Sequence, residues 1–193
     1  MEFFKILEYP DPKLRIKARP LEAGEIEKNI SLIKSLAYTM YKAEGIGLAA
    51  TQVGINKRII VLDVSRKLSK DKIFSLKEAD ILTGNKGLIV AINPEIIFKE
   101  GKTMHEEGCL SIPEFNADVE RASEIKIRAV DISGREIVME AKDLPAIAFQ
   151  HEIDHLDGIL FIDKASPLKR SLYNASLKKK KSAKSEKEPG YTR

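Results

Sequence analysis

The segment over residues 124–141 constrains the fold of this chain more than any other. Glu124–Val130 alternates apolar and charged residues, Ser133-Gly134 can turn the chain, and Glu136–Ala141 alternates again. A period of two residues on either side of a short turn predicts a β-hairpin. The chain should therefore contain antiparallel sheet.

Three helices are predicted around this hairpin. Apolar residues recur every three or four positions over residues 25–42, which is typical of an amphipathic helix packed on a core. A second helix should follow the hairpin, because Asp143 can cap it, Pro145 suits its first turn and Gly158 suits its end. A third begins at Ser166-Pro167 and fades into a lysine-rich tail.

Two further strands are predicted between the first and second helices. Arg58–Val64 is β-branched and well bounded, while Leu88–Phe98 is interrupted at Asn93-Pro94 and should be an edge or a bulged strand. The stretch between them, Ser65–Lys86, is polar and shows no clear period. We interpret it as an excursion with a short helix near Leu76–Leu82.

Composition limits the class of protein. A chain of 193 residues fits one domain with a real core, and 43% hydrophobic with 32% charged residues is typical of a soluble globular protein. No apolar run is long enough to span a bilayer, and the first residues do not have the pattern of a signal peptide. We therefore expect a cytoplasmic protein without membrane contact.

Positive charge is concentrated at the C-terminal end. The net charge is +4, but it is unevenly distributed. The C-terminal region contains two acidic residues, Glu186 and Glu188, against the basic residues Lys169, Arg170, Lys178–Lys181 and those that follow. The rest of the chain is close to neutral. An argument from charge about binding partners therefore concerns the tail alone.

The second predicted helix carries the pattern His-Glu-x-x-His at Gln150–His155. Residues four apart lie one above the other on a helix, so His151 and His155 present two imidazoles to one point, at the separation that a single metal ion needs. Glu152 lies about 100° round the helix, beside such an ion rather than on it. There its carboxylate can take a proton from a metal-bound water and pass it to a leaving group.

The same three residues could instead form a solvated face or a satisfied core pair. The neighbouring residues favour the metal site, because Leu144, Ile147, His151 and His155 share one stripe that begins apolar. Imidazoles that continue an apolar stripe point inward. Two inward histidines without a partner would be costly.

A third ligand must come from elsewhere, since tetrahedral catalytic sites usually take three protein ligands. The candidates are a carboxylate, His105 and the only cysteine, Cys109, which by default would be a small buried hydrophobe. The segment Glu107–Ser111 favours Cys109, because Gly108 lets a ligand come close and a thiolate binds borderline or soft ions well. His105 is interpreted as an exposed loop residue.

The glycine-rich segment Glu44–Gln52 follows the first helix. A dinucleotide-binding loop would follow a strand and contain a third glycine, so that interpretation is excluded. Two interpretations remain open. The segment is either a tight turn with small residues packed inward, or a substrate wall in which the amide of Gln52 polarises a carbonyl.

Taken together, Gly45–Gln52, Glu107–Ser111 and Gln150–His155 resemble the three signature motifs of the peptide deformylase family, in the same order and complete at each motif. The similarity extends over most of residues 1–170. The resemblance implies hydrolysis of the N-formyl group from the N-terminal formyl-methionine of newly made polypeptides, with release of formate. It also implies one Fe2+ per chain as the usual ion, with Zn2+ or Ni2+ as replacements.

The resemblance also implies a role for individual residues. Cys109, His151 and His155 match the metal ligands, and Glu152 matches the general base and acid. Gln52 and the backbone N–H of Leu110 match the groups that hold the developing oxyanion. The predicted substrate-binding residues, which include an apolar pocket for methionine, are Ile46, Gly47, Gly108, Leu144, Ile147 and Ala148. We also predict that Glu107 pairs with Arg121 to brace the segment that carries Cys109.

The chain departs from the family pattern in three places. Asn116 stands where many members carry a basic residue, which affects preferences beyond methionine. The stretch Ser65–Lys86 is longer than in compact members. The basic tail is longer than catalysis needs.

The predicted architecture is α+β, with antiparallel strands packed around a central metal-binding helix, an N-terminal amphipathic helix and a C-terminal helix. Residues 1–170 should form a single catalytic domain with a surface insertion over 65–87. Residues 171–193 should form the basic end of the last helix and a partly disordered tail. That tail either stays solvated or docks to the ribosome, in which case salt would weaken the contact steeply. We expect a monomer.

Two other functions compete with a deformylase. A zinc peptidase shares the helix motif, but such peptidases commonly take a histidine or glutamate as third ligand, which Cys109 argues against. A ribosome-binding protein with a relic site would not need Glu152 or Gln52, and both are present.

Overall fold

The computed structural model describes residues 1–65 and 87–185 and has a mixed α+β architecture. Its strands are β1 (Gly47–Ala49), β2 (Ile59–Leu62), β3 (Ile89–Glu100), β4 (Thr103–Cys109), β5 (Ile112–Arg121), β6 (Glu124–Val130) and β7 (Glu136–Lys142). Its α-helices are α1 (Ile30–Lys42), α2 (Asp143–Leu156) and α3 (Pro167–Ser185). The predictions for the insertion, for Leu76–Leu82 and for the last eight residues fall on positions outside the described ranges.

The strands form two antiparallel sheets. One has five strands in the order β1-β2-β3-β6-β7, and the other is the β4-β5 pair. The predicted hairpin is confirmed as β6 and β7, which pair from Glu124 opposite Lys142 to Val130 opposite Glu136. Gly134 turns the chain between them with a φ of 82°, a left-handed conformation that glycine adopts without strain.

Strand β2 explains how two helices share one sheet. Ile60 and Leu62 belong to the core cluster that contains α2, whereas Ile59 and Val61 belong to the cluster that contains α1. All four are buried, so β2 lies between the two layers and is apolar on both faces. The α+β class with antiparallel strands is thereby confirmed.

Two of the three predicted helix starts differ from the structure, while the last helix begins at Pro167 as expected. Residues 23–29 form two short 3-10 helices, and α1 begins only at Ile30. The Asn29 backbone N–H closes the tighter turn by donating to the Ile26 carbonyl at 2.9 Å, and the Asn29 side chain donates to the Glu25 carbonyl at 2.6 Å. Asp143 does not cap α2. It is the first helical residue, with a φ of 52°, and its backbone N–H donates to the Ser123 carbonyl at 2.9 Å. The strand β7 therefore runs directly into the helix.

Strand β3 is bulged but is not an edge strand. It lies between β2 and β6, and its register with β6 shifts between Ile92 and Glu95. Asn93 has a φ of 52° there, and its side chain accepts from the Leu21 N–H and donates to the Leu21 carbonyl, each at 2.8 Å. The N-terminal segment thus provides hydrogen-bond partners for the bulge. Pro94, which has no N–H, can lie at the bulge without breaking a hydrogen bond between strands.

Helix α3 packs on β5 through aromatic residues. The Tyr173 ring lies 4.7 Å from the Phe115 ring, centroid to centroid, and the Tyr9 hydroxyl contacts Asn174 Oδ1 at 3.1 Å. In the described ranges, no helix combines the length and the apolar content that crossing a membrane requires.

Candidate functional site

The three motifs meet at one cavity of about 370 Å³ between the α1–β1 connection, the β4–β5 hairpin and α2. Eleven of the twelve predicted site residues line it: Ile46, Gly47, Gln52, Gly108, Cys109, Leu110, Leu144, Ile147, Ala148, His151 and Glu152. The twelfth, His155, is 1% exposed and lies next to the cavity, with its Nε2 3.3 Å from His151 Nε2. The fold thus brings together all the residues that the sequence singled out.

Three donor atoms converge beside the cavity. Cys109 Sγ lies 3.1 Å from His155 Nε2, and the three donor atoms of Cys109, His151 and His155 all lie within 4.8 Å of one another. A tetrahedral ion with metal–nitrogen bonds of about 2.0–2.1 Å separates two nitrogen ligands by about 3.3 Å, as the two imidazoles are here. These residues could therefore hold one metal ion.

A series of ion pairs, buried at Glu107 and Arg121, lies behind His151. His151 Nδ1 is 2.7 Å from Glu107 Oε2, and Arg121 donates to both oxygens of Glu107 at 2.7 and 3.0 Å. Arg121 also pairs with Asp154, which in turn pairs with Lys164. The predicted Glu107–Arg121 pair is confirmed, and it orients a histidine that the prediction did not connect to it.

The charged groups behind His151 shift several pKa values. Burial works against ionisation of Glu107, but hydrogen bonds from His151 and Arg121 outweigh it and lower the pKa to about 2. Burial likewise opposes protonation of His151, but Cys109 and Glu107 outweigh it and raise that pKa. For His155, burial and the nearby His151 both lower the pKa. Glu107 is therefore an anion that accepts the proton of His151 Nδ1, which leaves Nε2 to face the other two donors.

Glu152 is a buried carboxyl group at the wall of the cavity. It is 5% exposed, and its Oε2 has no hydrogen-bond partner among the described residues. Burial raises its pKa to about 7. An unpartnered carboxyl oxygen beside an open cavity is free to exchange a proton with a molecule bound there.

The glycine-rich segment forms β1 and a 3-10 turn over Ala50–Val53. Within it, Gln52 Oε1 accepts from the Ala49 N–H at 2.8 Å. Its Nε2 points the other way, 3.1 Å from Ser111 Oγ and 3.5 Å from Cys109 Sγ. The Gln52 amide group thus faces the donor atoms, and the segment is a cavity wall as well as a turn.

Sequence reasoning missed the β4–β5 hairpin and with it several cavity residues. His105 lies on β4, is half-buried and lines the cavity, so its interpretation as an exposed loop residue was wrong. Asn116 on β5 lines it too. A Cβ at Gly108 would lie 2.7 Å from Asn116 Oδ1, so a larger residue there would displace the Asn116 side chain. The alternation of Phe115, Ala117 and Val119 was the available signal for β5.

Comparison with known proteins places this geometry in a family. The family model described as polypeptide deformylase matches residues 3–171. A peptide deformylase of Stenotrophomonas maltophilia (strain K279a) is 45% identical over 94% of this chain and 98% of the relative. One of Thermodesulfovibrio yellowstonii is also 45% identical, over 94% of this chain and all of the relative.

Solved structures agree with the sequence comparison. A peptide deformylase from Legionella pneumophila has a TM-score of 0.79 at 37% identity and covers 97% of this chain and 100% of its own. One from Synechococcus elongatus in complex with actinonin has a TM-score of 0.75 at 35% identity, over 92% of this chain and 87% of its own.

The fold and the cavity are thus those of a hydrolase with a Cys-His-His donor set. The chain belongs to the polypeptide deformylase family and is an enzyme of that family.

Proposed function

We propose that this enzyme hydrolyses the N-formyl group of the N-terminal formyl-methionine of newly made polypeptides and releases formate. One observation carries the proposal. Cys109, His151 and His155 converge beside a cavity into which Glu152 and the Gln52 amide also face. Family membership supports the same reaction.

We assign Cys109, His151 and His155 as ligands of one divalent ion and expect Fe2+, with Zn2+ or Ni2+ as replacements. When bound, such an ion lowers the pKa of a water molecule and polarises a carbonyl oxygen. A thiolate with two imidazoles suits the later first-row ions, so the metal supply decides which one is present.

The remaining groups of the chain handle protons and charge. Glu152 accepts the proton of the attacking water as the formyl carbon becomes tetrahedral. The Gln52 amide and the Leu110 N–H donate hydrogen bonds to the oxyanion, and loss of one such donor costs roughly 100- to 1,000-fold in rate. Glu152 then donates its proton to the departing nitrogen, and formate leaves.

An apolar part of the cavity suits a methionine side chain. Ile46, Leu144, Ile147 and Ala148 line the cavity beside the donor atoms, with Gly47 and Gly108 on its walls. Flexible, polarizable thioethers pack well against such aliphatic surfaces. The formyl group would then lie at the Glu152 end and the peptide would leave through the open side.

The test is an anaerobic assay of formate release from formyl-Met-Ala-Ser, with Fe2+, Zn2+ and Ni2+ supplied in turn. We expect release that depends on the added ion and stops when a chelator removes it. Actinonin, which the Synechococcus elongatus structure contains, should inhibit the reaction.

Two results would contradict the proposal. No formate with any of the three ions would remove it. Cleavage of unformylated Met-Ala-Ser, without formate from the formylated peptide, would instead favour the zinc peptidase.

We further propose that the enzyme is a cytoplasmic monomer whose basic C-terminal end contacts the ribosome. The support is the run Lys178–Lys181 at the end of the described helix α3. Truncation after Leu177, which keeps Tyr173 and Asn174 packed on the domain, should weaken co-sedimentation with ribosomes at low salt, and added salt should weaken it for the full chain. Equal co-sedimentation of both chains would favour a solvated tail.

A further inference from the structure

Ser111 lies where three parts of the site meet. It is the second residue of the two-residue turn between β4 and β5 and is 0% exposed. Its backbone N–H lies 3.4 Å from Cys109 Sγ, and its carbonyl accepts from the Tyr9 N–H at 2.8 Å. Its hydroxyl oxygen accepts from Gln52 Nε2 at 3.1 Å.

The contacts of Gln52 show what this hydroxyl does. The Ala49 N–H requires an acceptor, so the carbonyl oxygen of the Gln52 side chain must face Ala49 and its NH2 must face the cavity. One NH2 proton goes to Ser111 Oγ. The other lies on the side of the donor atoms, 3.5 Å from Cys109 Sγ between heavy atoms, and is the proton that can be donated to an oxyanion in the cavity. Without the hydroxyl, the Ala49 N–H and the long contact with Cys109 Sγ would be the remaining polar contacts of the amide group, which could then rotate about its last side-chain bonds.

The N-terminal chain holds both partners in place. The Leu7 N–H donates to the backbone carbonyl of Gln52 at 2.7 Å. Two residues later, the Tyr9 N–H donates to the backbone carbonyl of Ser111. The backbones of Gln52 and Ser111 are thus tied to one short segment. The separation between them is therefore set by the fold, and the hydroxyl lies where it can orient the amide.

We propose that Ser111 is a positioning residue, whose hydroxyl oxygen keeps the Gln52 amide directed at the oxyanion. The inference rests on the proposed function. It assigns Ser111 no contact with substrate or ion. Its effect on the reaction acts through Gln52 alone.

The first test is Ser111→Ala, assayed for formate release with Fe2+. We expect kcat to fall about 10- to 100-fold with an unchanged KM, because a misplaced catalytic group can cost about 100-fold while substrate binding elsewhere is intact. Metal content per chain should match the unaltered enzyme. Ser35→Ala is the matched control, since Ser35 is also buried and accepts one backbone N–H, from Glu2 at 3.0 Å, on α1. It should leave kcat unchanged.

A double-mutant cycle separates positioning from general damage to the fold. In a Gln52→Ala background, Ser111→Ala should change kcat by less than about 2-fold, because the group it positions is gone. Ser111→Thr keeps the hydroxyl and should have a kcat within about 3-fold of the unaltered enzyme. This variant keeps the inference testable if Ser111→Ala does not fold. The inference fails if the two losses multiply, if kcat falls only as metal is lost, or if a folded, metal-loaded Ser111→Thr is as slow as Gln52→Ala. Formate release by the unaltered enzyme tests the proposed function separately.

Discussion

Glu152→Gln is expected to lower kcat for formate release by up to about 10,000-fold, the upper range for removal of a general acid–base. The amide keeps the size and the buried position of the carboxyl group, but it can neither accept the proton of the attacking water nor return it to the leaving nitrogen. Metal content should stay nearly unchanged, because Glu152 is not among the three converging donors. Single-turnover formate release measures the rate, and metal analysis of the same sample measures the metal content per chain.

Glu120→Gln is the matched control, because it makes the same change at a carboxylate of β5 that is exposed and pairs with Lys102. It should retain full kcat. If Glu152→Gln loses the metal together with activity, Glu152 is a ligand and the proposed roles are wrong. If it retains more than about a tenth of kcat, another group moves the proton.

The residues that the sequence singled out could be found because each motif is local, and eleven of the twelve line one cavity. The spacing of His151 and His155 follows from one helical turn, and the small residues from Gly45 to Ala50 restrict what the first motif can form. That these segments meet at one cavity could come only from the family resemblance. Each lies on a different element, and nothing in the residues themselves specifies the distance between α2 and the β4–β5 hairpin.

What the sequence could not predict depends on contacts between distant residues. The Glu107–Arg121 pair was expected, but its link to His151 joins residues 44 positions apart and has no local signal. The interior position of β3 was hidden in the same way. Asn93-Pro94 indicated a break in the hydrogen bonds between strands. Only the contact of the Asn93 side chain with the Leu21 backbone shows how an interior strand accommodates that break.

Gly47→Ala is expected to lower kcat by about 100-fold or more while the melting temperature changes little. Gly47 does not have a positive φ, so alanine can adopt its backbone conformation. The new methyl group would lie 2.8 Å from Glu152 Cδ and 2.9 Å from Cγ, and closer still to Oε1. The Glu152 side chain must move, and a displacement of about 1 Å in a catalytic group can cost 100-fold. The glycine of the first motif therefore keeps space for the carboxylate of the third.

A second substitution tests that explanation. Glu152→Asp withdraws the carboxylate from Gly47, so adding Gly47→Ala to it should cost less than about 2-fold in kcat, far from the product of the two single effects. Gly24→Ala is the control for replacing a glycine by alanine. Nothing lies within 4 Å of a Cβ there, so this variant should leave kcat unchanged. Full activity of Gly47→Ala would show that Glu152 works from another position. Multiplying losses in the double variant would show instead that Gly47 acts on the substrate, because the contact with Glu152 would then not account for its effect.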